Sequence, residues 1–231
     1  MKTCWRAWMG LAGWALAASV AVGCASQPRT AGAGEGSALP SAAVAEMTAG
    51  ESAGREVIRV VEPTDAMVAA VVAASPKLEP VLASTLAWKD TPYEWGGKRP
   101  IEGMDCSGYT WRAYYDNGLG YEGYMNTHTL ARMKGGNGLR KIDGGLAAAK
   151  PGDLLVYGYY REPETKGRWR GHVVILIDAT GETTGEPGLV VGSHGGTVDR
   201  LAFVVAEGFD EGYFREPNMP LVSVLRPVAL E

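Results

Sequence analysis

The chain has 231 residues and a net charge of −4; 46% of its residues are apolar and 21% charged. This ordinary globular composition excludes a wholly disordered or collagen-like chain, and the acidic balance gives no electrostatic case for a nucleic-acid partner, whose readers carry a basic face. Three cysteines, Cys4, Cys24 and Cys106, are too few for a disulfide scaffold of this length and too scattered for a clustered zinc site, so no metal is expected.

Residues 1–23 carry the pattern of an export signal. Lys2 and Arg6 form a positive start, and Met9 to Val22 is an apolar run of fourteen residues, too short for a comfortable stop-transfer helix. The run ends in Ala21-Val22-Gly23-Cys24, which resembles the lipobox of bacterial lipoproteins. That resemblance implies cleavage before Cys24, lipidation of its thiol and a membrane anchor made of lipid. The alternative is a plain secretory signal with an incidental cysteine. Cleavage takes away Lys2 and Arg6 and moves the net charge from −4 to −6. No later stretch has eighteen apolar residues free of charge, so the lipid is the expected anchor. Ala25 after Cys24, in place of aspartate, favours the outer membrane facing the periplasm.

Residues 24–55 hold the lipidated cysteine and a run of Ala, Gly, Ser, Thr and Pro with almost no large apolar residue, which reads as a flexible tether. The folded domain is expected over 56–231. Val57 to Val61 reads as an edge strand, Asp65 to Ala74 as a helix stopped by Pro76, and Glu79 to Lys89 as a second helix. Pro92 to Gly97 is rich in turn formers. A third helix is expected over Ser107 to Asp116, starting at Asp105-Cys106-Ser107 and ending at Asn117-Gly118. Residues 118–145 read mostly as loop, with a short helix after Thr127. Strands follow at Asp153 to Tyr157, Val173 to Ile177, Leu189 to Val191, Val198 to Val205 and Leu221 to Leu225. Helices followed by strands imply an α+β domain with a mostly antiparallel sheet.

Chemistry concentrates in a few residues. With Cys4 in the signal and Cys24 lipidated, Cys106 is the one thiol left to act in the exported part. It stands where a helix begins, and the unpaired N–H groups and dipole there favour a thiolate and can hold an oxyanion. His172 opens the most hydrophobic strand and suits a general base paired with a cysteine. His194 lies at the end of the next strand and suits a third, orienting member. His128, beside Asn126 and Thr127, falls near a helix N-cap and receives no catalytic role. Each residue also has a bland reading: a buried thiol, a core histidine, a loop histidine.

Four motifs occur in one order: Tyr93-Glu94-Trp95-Gly96-Gly97, Asp105-Cys106-Ser107-Gly108, Pro151-Gly152-Asp153-Leu154-Leu155 and His172-Val173-Val174-Ile175. Together they resemble the NlpC-type cell-wall peptidases, papain-like cysteine hydrolases, over about residues 78–226. The resemblance implies a helix that carries the nucleophile Cys106, packed on an antiparallel sheet that carries the base His172. It implies that Tyr93 lines the site near the oxyanion and that Asp105 and Ser107 contact the amino end of a bound peptide. It further implies a cysteine-type endopeptidase that cuts stem peptides of peptidoglycan, commonly between D-glutamate and diaminopimelate, without a cofactor. Three features depart from the family pattern. Gly192 stands where the family usually has His, Asn or Gln, with His194 two residues later on the same side of a strand. Gly108-Tyr109 replaces the usual Gly-Leu. Tyr157 to Gly171 is long and carries Arg161, Lys166, Arg168, Trp169 and Arg170, as either a carboxylate-binding lid or a solvated hairpin loop. A peptidoglycan-binding lipoprotein without activity, and a transferase of the same fold, are the competing functions.

Overall fold

The computed structural model describes residues 58–161, 167–206 and 219–231. The export signal, Cys24 and the tether lie outside the described residues.

The elements follow from local sequence. Strand β1 (Ile58–Val61) leads into helix α1 (Asp65–Ala74), where the Thr64 hydroxyl accepts from the Met67 N–H at 3.2 Å and caps the first turn. Pro76 ends that helix in a short 3-10 turn, and α2 (Glu79–Trp88) follows with Pro80 in its first turn. A two-residue hairpin, β2 (Lys98–Arg99) and β3 (Gly103–Met104), precedes α3 (Cys106–Tyr115). The expected loop after α3 holds α4 (Thr127–Arg132), capped by the Asn126 side chain on the Thr129 N–H, and the short strands β4 (Gly135–Gly136) and β5 (Leu139–Lys141). Strands β6 (Leu154–Arg161), β7 (Arg168–Asp178), β8 (Leu189–His194), β9 (Arg200–Ala206) and β10 (Leu221–Pro227) complete the domain.

Eight strands form one antiparallel sheet in the order β1-β9-β8-β7-β6-β10-β5-β4, with β7 and β8 near its centre. The fold is α+β and matches the expected architecture. β1 is an edge strand, as its short β-branched sequence suggests. The hydrophobic runs of β6, β7 and β8 are buried on both faces. Val173, Ile175 and Val191 join one apolar cluster with α3, while Val174, Leu176 and Val190 join a second on the opposite face.

Helix α3 is fixed by its aromatic residues. Tyr109 and Tyr114 are fully buried; the Tyr109 hydroxyl lies 2.7 Å from Thr85 Oγ1 on α2, and the Tyr114 hydroxyl donates to the Gly152 carbonyl at 2.6 Å. Tyrosine in place of leucine at 109 thus gains a polar partner between helices. The Pro151-Gly152-Asp153 motif is structural. Asp153, wholly buried, pairs with Arg226 of β10 through two contacts of 2.7 Å and accepts the Lys150 N–H at 2.8 Å.

The described ends of the Tyr157 to Gly171 segment extend the sheet as a β-hairpin. Tyr157 pairs with His172, Gly158 with Gly171, Tyr159 with Arg170 and Tyr160 with Trp169, so both ends of the segment are hairpin arms. Strand pairing satisfies backbone groups that a loop would leave to solvent. Lys166 lies outside the described residues.

Candidate active site

The corner before α3 is built by one carboxylate. Asp105 is the N-cap, with extended backbone (φ −86°, ψ 176°); Oδ1 accepts from the Gly108 N–H at 2.6 Å and the Ser107 hydroxyl at 2.9 Å. Its Oδ2 accepts from the Gly96 N–H at 3.0 Å, which ties the Tyr93–Gly97 segment to the helix start. The Asp105 N–H donates to the Gly97 carbonyl at 3.0 Å, and that carbonyl fills the space a side chain at Gly108 would need. The glycines of both motifs therefore permit a close approach that locks Cys106 in place.

Cys106 is buried at the first position of α3. The backbone N–H groups of Val173, Ser107 and Cys106 lie close enough to favour its thiolate, and Cys106 and Val173 share one apolar cluster. The Val173 contact brings the thiol to the start of β7, one residue from His172. The expectation of a lowered thiol pKa is corrected: burial pushes it up to about 12, the Asp105 charge adds to the rise, and the three N–H groups offset only part of it.

His172 and His194 meet. Ile175 pairs with Val191 and Leu176 with Val190, and the same register carried toward the start of β7 sets His194 opposite His172. Their rings lie 5.2 Å apart between centroids at 38°. The His194 Nε2–H donates to the Ala202 carbonyl at 3.3 Å, which fixes its tautomer. Burial holds both imidazoles neutral: it drives His172 well below its ordinary value, with His194 adding to the drop, and lowers His194 to about 3. Tyr93 packs on Gly195, and its hydroxyl is raised by burial and then by the neighbouring Cys106 and Asp105 charges. Trp95 of the same segment is 83% exposed.

A family model described as the NlpC/P60 family matches residues 90–196, a span that holds Tyr93, Cys106, His172 and His194. The chain carries an NlpC/P60-family domain. Solved structures that resemble it include the NlpC/p60 domain of the peptidoglycan hydrolase SagA, at 24% identity over 55% of this chain and 95% of that one, with a TM-score of 0.34. A lipoprotein-like protein of the NLP/P60 family from Staphylococcus aureus resembles it at 15% identity over 73% of this chain and 44% of that one, with a TM-score of 0.43. No curated protein matches the chain.

Within this NlpC/P60 domain the departure at Gly192 has a steric explanation. A Cβ there would lie 2.9 Å from Val174 Cγ1 and 3.3 Å from His194 Cε1, so the His194 imidazole occupies the space above Gly192. The polar group usual at that position arrives from two residues along the strand. Two contacts escaped the sequence reading. The buried Ser193 hydroxyl donates to the Met104 carbonyl at 2.6 Å and ties β8 to the residue before Asp105. The Tyr124 hydroxyl lies 3.2 Å from that of Ser107. Strand alternation between Gly192 and His194 was the available signal for Ser193; Tyr124 sits in a glycine-rich stretch with no periodic signal.

Proposed function

We propose that this chain is a cysteine endopeptidase of the bacterial envelope that hydrolyses amide bonds in peptidoglycan stem peptides, commonly of the D-glutamyl–diaminopimelate type. The observation that supports it most is the convergence of Cys106 on the start of β7, where His172 packs against His194. The lipobox-like Ala21-Val22-Gly23-Cys24 supports a lipid anchor through Cys24, with the outer membrane facing the periplasm as its place.

The chemistry follows from the neutral resting groups. His172, neutral, accepts the Cys106 proton as the sulfur attacks the scissile carbonyl, so imidazolium and anion form together in the buried site. The Cys106 N–H and a donor on the Tyr93 side receive the oxyanion. His172 returns the proton to the leaving amine, and a thioester remains on Cys106. Water, deprotonated by His172, then releases the acid. His194 is the orienting residue. Its Nε2–H donates to the Ala202 carbonyl, and its ring, fixed by that bond, packs against the His172 imidazole. Asp105 and Ser107 border the place of the peptide's amino end.

Intact-mass spectrometry of muropeptide fragments after incubation with the mature chain tests this reading. Two fragments whose masses sum to the substrate plus one water are expected. A joined product makes the protein a transferase, and unchanged ligand makes it a binding protein; either overturns the proposal.

A further inference from the structure

Beside His172, on the arms of the β6–β7 hairpin, three rings pack together. Trp169 lies across Gly158 and Gly171, filling the space where side chains at both would stand, and its indole N–H donates to Thr127 Oγ1 at 3.1 Å. His128 Nε2 lies 2.6 Å from the Tyr160 hydroxyl. The ring centroids are 5.2 Å (Tyr160–Trp169), 5.5 Å (His128–Trp169) and 5.7 Å (His128–Tyr160) apart. The hydrogen bonds hold the cluster rigid, so a ligand meeting it loses little side-chain freedom of the protein. Tyr160 is 46% exposed, so its ring is open to a ligand.

The surroundings narrow what such a platform takes. Arg168 and Arg170 are exposed on the same hairpin, and neither has an ion-pair partner among the described residues. Two free cations within a Debye length disfavour a cationic ligand on the rings, which leaves a neutral or anionic one with an apolar face. The C–H face of a pyranose ring complements the negative face of an aromatic ring. The position fits as well. Trp169 is three residues from His172, about 10 Å along an extended strand. From Cys106 the path runs through Ser107, the Tyr124 hydroxyl and the cap of α4 to Thr127 and Trp169. Asp105 and Ser107 border the amino end of the peptide in the reading above, and the cluster lies beyond them.

We propose that His128, Tyr160 and Trp169 form a sugar subsite that holds the glycan to which the stem peptide is attached. This rests on the peptidase reading: the chain then selects stem peptides whose amino end still carries sugar over free peptides.

The test compares kcat/KM of the full mature chain on a free stem tetrapeptide and on the same peptide attached to its disaccharide. The sugar-bearing substrate is expected to be favoured about tenfold, the worth of one good ring contact. Tyr160→Ala brings the ratio to within about twofold of unity while leaving the rate on the free peptide unchanged, and Tyr160→Phe, which keeps the ring, keeps the preference. Equal rates in the wild type, or a preference that survives Tyr160→Ala, overturns the subsite. If neither substrate is cut, the peptidase reading fails, and calorimetric titration of the disaccharide-peptide against the free peptide decides the subsite. Tighter binding of the sugar-bearing form that is lost in Tyr160→Ala sustains it, and equal binding rejects it.

Discussion

Asp153 with Arg226, and His172 with His194, are two buried polar pairs on neighbouring strands of one sheet, treated in opposite ways. Asp153 meets a full set of donors, two from Arg226 and one from Lys150, and Arg226 also donates to the Ala148 carbonyl at 3.2 Å. The Asp153 contact raises the guanidinium pKa further, and the group stays charged. The histidines carry no such charge: the His194 Nε2–H donates to the Ala202 carbonyl at 3.3 Å, and the two rings lie against each other. Burial wins there, and both imidazoles are neutral. A bidentate ion pair makes a buried charge structural, whereas burial that outweighs the local polar contacts keeps a group uncharged and available as a base.

This contrast can be broken from either side. The largest effect expected is on turnover: His172→Ala lowers kcat by about a thousandfold or more in a stem-peptide assay while thermal stability changes little. Asp153→Ala does the reverse. Leaving the part-buried Arg226 without its partner costs about 3 kcal/mol in denaturant unfolding, and the folded fraction keeps its specific activity. His194→Ala removes the orienting group and lowers kcat about a hundredfold, with His194→Asn recovering part of the loss. Gly192→Ala pushes a methyl group against the His194 ring and costs about tenfold in kcat with KM unchanged.

The contrast also sets how stability depends on pH. His194 titrates at about 3 folded and near 6.5 unfolded, so between these values the unfolded chain binds a proton that the folded chain does not. Its contribution is complete above pH 6.5 and is lost as the pH falls toward 3, at no more than about 1.4 kcal/mol per pH unit. His172 shifts in the same direction. Unfolding curves at pH 7, 5 and 4 show this slope, and His194→Asn flattens it.

Local features were legible in the sequence and long-range ones were not. Asp105 before Cys106 is an N-cap signature, and α3 begins where it indicates. The alternation after His172 marks a buried strand, and β7 runs through it. His194 beside His172 depends on the pairing of β7 with β8, and sequence spacing alone gives the side of a strand without its partner. The thiol's pKa direction was misjudged for a related reason: the helix start is local, but the burial that outweighs it comes from packing against the sheet. The aromatic cluster joins α4 to the hairpin across more than forty residues of sequence, with only glycines at 158 and 171 to hint at a ring lying over them.

The central claim is that Cys106, with His172, cleaves stem peptides. Release of new amino groups from purified peptidoglycan by the mature chain, measured beside Cys106→Ala at equal folded concentration, tests it most directly. The account predicts steady release by the wild type and none above background by the variant; equal release by both would contradict it.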